Sequence, residues 1–231
     1  EAGVQAANFA RAGLTAPDDV FEHAHGFTAM FGDNTFLPDE LAKLGNRYVL
    51  ETSRLTFKRY PACAGALGSV EAVLDLRSAH QLTADQVSRI RCEVTPAIGH
   101  YMQYRVPRDT TEAQFSLPYC ASIAMMTGRV RMAAFSNELL GELAVAALIE
   151  KVEVTADAAL SAEFPKRRAA RVEIETTDGR RFEHYSPTRK GDPDNPLSDG
   201  ELAEKFLELC DPVLGREGAA PLLDALWRLD E

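Results

Sequence analysis

Apolar positions change their period along the chain, and the changes divide it. Val4, Ala7, Phe9, Ala10 and Leu14 recur at helical spacing, which predicts a helix over Glu1–Leu14. Thr15-Ala16-Pro17-Asp18-Asp19 reads as a loop and helix start, with acids suited to a helix N-terminus. Helices are expected over His23–Phe31 and Pro38–Leu44. From Arg47 the period shortens to two: Tyr48, Leu50 and Thr52 alternate with Val49, Glu51 and Ser53, and Leu55 and Phe57 extend a strand. A helix follows over about Cys63–Ala79, with Ala66, Leu67, Val70, Val73 and Leu74 on one stripe.

Thr83-Ala84-Asp85-Gln86 has the form of a capping box, and Ile90, Cys92 and Val94 alternate as a half-buried strand. Residues 111–127 form a buried helical pattern with Pro118 inside it, so a kink or a late helix start is expected there, with Gly128 as C-cap. A helix is expected over Glu138–Ile149, then a short strand at Val152 and Val154. Val172, Ile174 and Thr176 alternate up to an Asp178-Gly179 turn, and Phe182 and His184 lie on the return strand, a hairpin. A loop dense in Pro, Gly and Asp spans 186–200, with Ser198 an N-cap for a helix carrying Leu202, Phe206, Leu207 and Cys210. A last helix carries Leu222, Leu223, Leu226 and Trp227. The hairpin implies antiparallel pairing and an α+β fold: a small α+β domain with an antiparallel sheet, inserted into, or capping, a helical one. The divisions are 1–46 (helical), 47–190 (α+β) and 191–231 (helical).

Composition narrows the function classes. The 231 residues are 45% apolar and 26% charged, enough for a sizeable core. The net charge of −10 argues against a general nucleic-acid binder. No apolar run approaches the roughly 18 residues of a membrane span, and no basic–apolar–small leader pattern opens the chain. Cys63, Cys92, Cys120 and Cys210 are scattered, with no zinc-ribbon spacing, and His23 and His25 lie outside any HExxH pattern. A reducing, cytoplasmic setting with no metal and no cofactor is expected.

Lys58-Arg59-Tyr60-Pro61 stands directly before the predicted helix of residues 63–79. Two adjacent cations before a proline fit a ligand-facing turn or a solvated strand end. Tyr119 fits a proton donor or a core tyrosine. Gln114 and Ser116 fit substrate binding or helix capping, and Cys63 fits a nucleophile or a buried helix-start residue. Arg105 and Arg108 flank Pro107 in what reads as a solvated loop, and Lys166-Arg167-Arg168 is a short basic run.

Four ordered stretches, "GLTAPDDVFEHAHGF", "FKRYPACAGALGSVEAVLDLR", "TEAQFSLPY" and "GDPDNPLSDGELAEKF", together resemble the MmgE/PrpD family, which includes 2-methylcitrate dehydratase, cis-aconitate decarboxylase and iminodisuccinate epimerase. The resemblance implies a metal-free lyase or isomerase. It would act on a small di- or tricarboxylate through a carbanion next to a carboxylate. Lys58 and Tyr119 take the catalytic positions, with Arg59, Cys63, Gln114 and Ser116 as possible substrate contacts. Cys63 stands where the decarboxylase has a histidine. The resemblance also implies a homodimer. It implies that the chain is the later part of a longer protein, inactive without the helical half: residues 1–46 end an all-helical domain, 47–190 form a small lid domain with an antiparallel sheet, and 191–231 return to the helical domain. The alternative is a non-catalytic ligand-binding or oligomerisation module of the same fold.

Overall fold

The computed structural model describes residues 1–33, 38–46, 48, 50, 55–102, 104–162, 164 and 167–229. The chain divides into two compact units, Glu1–Ser53 and Arg54–Glu231. In the first, α1 is Ala2–Arg11, α2 is Phe27–Phe31 and α3 is Pro38–Leu41. The second of these begins four residues later than expected. Residues before it form turns, in which the Val20 carbonyl accepts the Phe27 N–H.

The second unit is built on a four-stranded sheet ordered β2-β1-β3-β4, with β1 Val87–Val94, β2 Val152–Ala156, β3 Ala170–Thr176 and β4 Arg181–Ser186. β3 pairs antiparallel with β1 and β4, so the expected hairpin and the α+β class are present. The sheet is mixed, however, because β2 lies parallel to β1. The intervening helices carry the chain back across the sheet, the usual requirement of a parallel pair.

Alternation decides which face is buried. Ile90, Cys92, Val94, Val172 and Ile174 are fully buried on one face. Helix α4 (Leu67–His80) covers β3 and β4 there. α5 (Pro96–Tyr101) lies against β2, and α6 (Thr110–Gln114) leads into α7 (Leu117–Thr127), which packs on α4 and β2. The opposite face is a ladder of opposite charges. Arg89 reaches Glu173 and Glu175 at 3.4 and 3.1 Å, and Arg171 lies between Glu93 and Glu183 at 3.0 and 3.5 Å. Such half-exposed pairs set register more than stability.

Local chemistry explains most element ends. Thr83 and Gln86 form the expected capping box. Ser116 caps α7 by accepting the Tyr119 N–H at 3.1 Å, so Pro118 sits in the first helical turn. Gly128 ends α7 at φ +70, and a Cβ there would meet the Arg77 guanidinium at 2.5 Å. α4 starts at Leu67 rather than Cys63. The expected helix over 138–149 is two, α8 (Asn137–Leu140) and α9 (Leu143–Ile149), parted at Gly141. Arg105 is not merely solvated: it donates to the carbonyls of Ile149 and Val152 at 3.2 and 2.9 Å. The strand expected from Tyr48 falls largely outside the described residues, and Leu55–Lys58 runs outside the sheet. α10 (Asp199–Leu226) starts with a Ser198–Glu201 capping box and breaks at Gly215, φ 65, ψ 163, which keeps the two expected helices as two segments.

The loop before α10 is pinned to residues 56–64. The Phe57 N–H donates to the Gly191 carbonyl at 2.9 Å, and Thr56 Oγ1 donates to Asp192 Oδ1 at 3.3 Å. Arg189, 4% exposed, pairs with Asp192 at 2.6 Å and donates to the Ala64 carbonyl at 3.2 Å. Burial alone would raise the Asp192 carboxyl, but hydrogen bonds and charge pairing with Arg189 outweigh it and hold the pKa below the usual range.

A Cβ at Gly191, φ +95, would sit 1.8 Å from the Phe57 carbonyl oxygen, whereas one at Gly179, φ +85, meets nothing within 4 Å. Gly191→Ala is therefore expected to cost at least about 2 kcal/mol more than Gly179→Ala in urea unfolding. Equal losses would show that the approach does not matter. The depressed Asp192 carboxyl contributes stability that is present above its unfolded pKa of about 3.9 and lost as pH falls through its lower folded value. Asp192→Asn should flatten that acid loss in melting temperature against pH; an unchanged acid slope would exclude this pair as its source.

Candidate active-site cleft

Residues 56–60 are held almost residue by residue. Thr56 and Phe57 are fixed by the 191–192 loop. Arg59 pairs with Glu71 on α4 at 2.9 Å and with Glu201 on α10 at 3.3 Å. The Tyr60 hydroxyl donates to Glu71 Oε2 at 2.9 Å. The Lys58 carbonyl accepts from Lys205 Nζ. The Lys58 side chain is exposed, and among the described residues no carboxylate pairs with it.

Beside this segment lies a cleft of about 190 Å³, whose lining includes Arg59, Tyr60, Arg131, Glu201, Lys205 and Glu208. Its charges are mostly matched. Arg131 bridges Glu204 and Glu208, and Lys190 reaches Glu201 at 3.2 Å. Burial raises the Glu71 carboxyl, with Arg59 and Tyr60 opposing. Burial and the neighbouring Glu71 push the Tyr60 phenol up. The Ser198 N–H holds the Glu201 carboxyl below its ordinary value. Burial lowers the Lys205 ammonium; Glu208 opposes this and Lys58 adds to it.

The other expected site residues fall elsewhere. Tyr119 is fully buried, its hydroxyl donating to the Ala134 carbonyl at 2.5 Å, and burial pushes its pKa up to about 12. Ser116, also buried, donates to the Tyr104 carbonyl while capping α7. Gln114 and Cys63 meet through the backbone, the Cys63 N–H donating to the Gln114 carbonyl at 2.8 Å. That bond joins the lysine turn to the Gln-Phe-Ser motif. Cys63 is half-buried against the core. Near the motif is a hollow walled by Tyr101, Tyr104 and Phe115, whose acid, Glu112, is paired with Arg108. The two motifs are thus joined by main chain, while Lys58 and Tyr119 differ sharply in access to solvent.

Sequence reasoning assigned no role to Glu71, Arg131, Arg189, Glu201 or Lys205. A signal existed: Glu201, Glu204, Lys205 and Glu208 recur at i, i+3, i+4 and i+7, one charged stripe on a helix. Among the described residues no group of three His, Cys, Asp or Glu side chains is arranged to hold a metal ion. None of their helices is long and apolar enough to cross a membrane.

Residues 60–230 match the MmgE/PrpD C-terminal domain. Similarity to individual proteins extends further. Cis-aconitate decarboxylase of Mus musculus is 23% identical over 237 residues, covering 99% of this chain and 47% of its own length. Cis-aconitate decarboxylase of Homo sapiens is 26% identical over 238 residues, covering 99% and 48%. The chain spans about half the length of the curated relatives it matches. The sheet, its covering helices, α10 and the cleft lining other than Arg59 lie within the matched residues, and the chain belongs to the MmgE/PrpD family.

Proposed function

We propose that this chain forms one wall of the active site of a lyase or isomerase acting on a small di- or tricarboxylate. The shared step is loss or gain of a proton at the carbon beside a carboxylate. Removing that proton leaves a carbanion whose charge spreads onto the carboxylate oxygens. A cation at those oxygens stabilises the charge as it develops. The relatives are named for decarboxylation of one tricarboxylate, cis-aconitate, which has the required chemistry. In decarboxylation such a carbanion forms as CO₂ leaves and is then protonated; in dehydration it forms by proton loss and expels hydroxide, and in epimerisation it forms by proton loss and is reprotonated on the other face.

The observation that carries this reading is Lys58. Its neighbours are engaged by α4, α10 and the 191–192 loop, while its own ammonium is exposed and unpaired among the described residues. A chain with net charge −10 would repel a polycarboxylate at long range, so a local unpaired cation is needed for capture. Lys58 serves as carboxylate anchor, and as base where a second surface excludes water. Half of each relative's length has no counterpart here, so the site is completed by the portion that precedes this region in them. On this reading residues 1–46 end a helical domain, 47–190 form the lid, and 191–231 return to it. The 231 residues alone are inactive.

Tyr119 has a supporting role, tying α7 to the Ala134 carbonyl. A second reading, a binding module that has lost catalysis, draws on Cys63 at the decarboxylase histidine position.

In the full-length protein, Lys58→Ala is expected to lower turnover of cis-aconitate, or proton exchange at related polycarboxylates in D₂O, by about 10²- to 10⁴-fold, with melting temperature nearly unchanged. Retained rate with intact binding would favour the module. Tyr119→Phe is expected to cost about 1–3 kcal/mol of stability by orphaning the Ala134 carbonyl, with kcat kept within tenfold. Loss of kcat without loss of stability would return Tyr119 to the chemistry.

A further inference from the structure

α10 belongs to the second unit and holds its 58–60 segment. Its first turns present four charged side chains to the 58–60 segment and to Arg131. Glu201 takes Arg59 and Lys190, and Glu204 and Glu208 take Arg131. With those carboxylates occupied, the half-buried Lys205 ammonium turns to a neutral acceptor, the main-chain carbonyl of Lys58, 147 residues away in sequence. A helix-surface lysine with acids at i−4 and i+3, here Glu201 and Glu208, would ordinarily pair with one of them in solvent. Here the ammonium is instead committed to fixing a backbone atom of the residue that the proposed chemistry needs.

We propose that Lys205 is a positioning residue for Lys58. By holding the Lys58 carbonyl against α10, it sets the position from which the exposed Lys58 side chain meets a substrate carboxylate. The proposal deepens the function proposed above and rests on its assignment of Lys58. Three fixed points bracket the lysine: the Phe57–Gly191 main-chain bond on one side, the Arg59 ion pairs on the other, and Lys205 at Lys58 itself. Removing the third leaves the Lys58 peptide group free to turn between the other two. A displacement of about 1 Å at a reacting group can cost on the order of 10²-fold in rate. α10 thereby becomes the element through which any motion of the C-terminal segment would reach Lys58.

The test is a double-mutant cycle in the full-length protein, with cis-aconitate as probe and kcat and KM measured separately. Acetylation of Lys58 by acetic anhydride is followed in parallel by peptide mass spectrometry. Lys205→Met is expected to lower kcat at least tenfold with KM within about threefold. Lys205→Arg, which keeps a donor for the carbonyl, should recover most of that loss. In a Lys58→Ala background, Lys205→Met should cost nothing further, as required of a residue acting through Lys58. The Lys58 acetylation rate should change at least threefold in Lys205→Met and return towards the original in Lys205→Arg. Equal losses of kcat in the presence and absence of Lys58, or an acetylation rate that differs less than threefold from that of the protein with Lys205 intact, overturn the proposal. If cis-aconitate is not turned over, the substrate assignment fails and the acetylation rates alone decide the positioning claim. If Lys205→Met does not fold, Lys205→Gln is judged by the same measurements.

Discussion

The close approach of Gly191 to the Phe57 carbonyl is the constraint on which the candidate site depends. A Cβ at that point would overlap the oxygen, so the two chain segments come together only because residue 191 has none. The approach then allows the Phe57 N–H to reach the Gly191 carbonyl, and Arg189 and Asp192 to close as a nearly buried pair beside Ala64. A buried ion pair is worth little by itself because its desolvation offsets the attraction. Its third bond, to the Ala64 carbonyl, gives it direction. It locks the loop before α10 onto the turn before α4, two segments over a hundred residues apart. Every contact that α10 makes with Lys58, Arg59 and Arg131 follows from where that loop ends.

Charge in this molecule is sorted by what it is paired with rather than by amount. The exposed sheet face carries many arginines and glutamates, yet they alternate across strands and neutralise one another. The cleft is similarly balanced, with Arg59 and Arg131 each held by two carboxylates. Arginine suits such forked pairing, being planar and always charged. Against that background Lys58 beside the cleft and Arg129 in its lining are cations with no carboxylate partner among the described residues.

The sequence made the local structure legible where a side chain bonds its own backbone neighbours. The Thr83–Gln86 box, the Ser116 and Ser198 caps, the late start forced by Pro118 and the Gly128 terminus all appear in the structure as spacing alone implies. The late helix start at Leu67 lies where Gln114 and Arg189 bond residues 63 and 64, a tertiary override of periodicity, whereas the break at Gly141 is local, a glycine ending a four-residue helix. The parallel β1–β2 pair was not readable, because a strand's apolar alternation does not record the direction of its partner. At the site, the Lys58 segment was visible as an oddity of two cations before a proline. Its partners Glu71, Glu201 and Lys205 were not, since each looks like an ordinary charged residue on a helix face until the fold brings it to residues 58–60.

An exposed ammonium and a catalytic base are different states of the same side chain. In water a lysine keeps its proton at neutral pH and attracts a carboxylate; it removes a proton from carbon only after desolvation or a neighbouring cation has made the neutral form accessible. Lys205 meets both conditions in part, being half-buried with its pKa lowered by burial and by Lys58. Its bond to the Lys58 carbonyl, however, commits it to structure. The arrangement therefore separates two tasks that one lysine cannot perform together. One cation holds the backbone, and on the proposed function the other is left to the substrate. On that proposal, which chemistry the second performs depends on how far water is excluded around it.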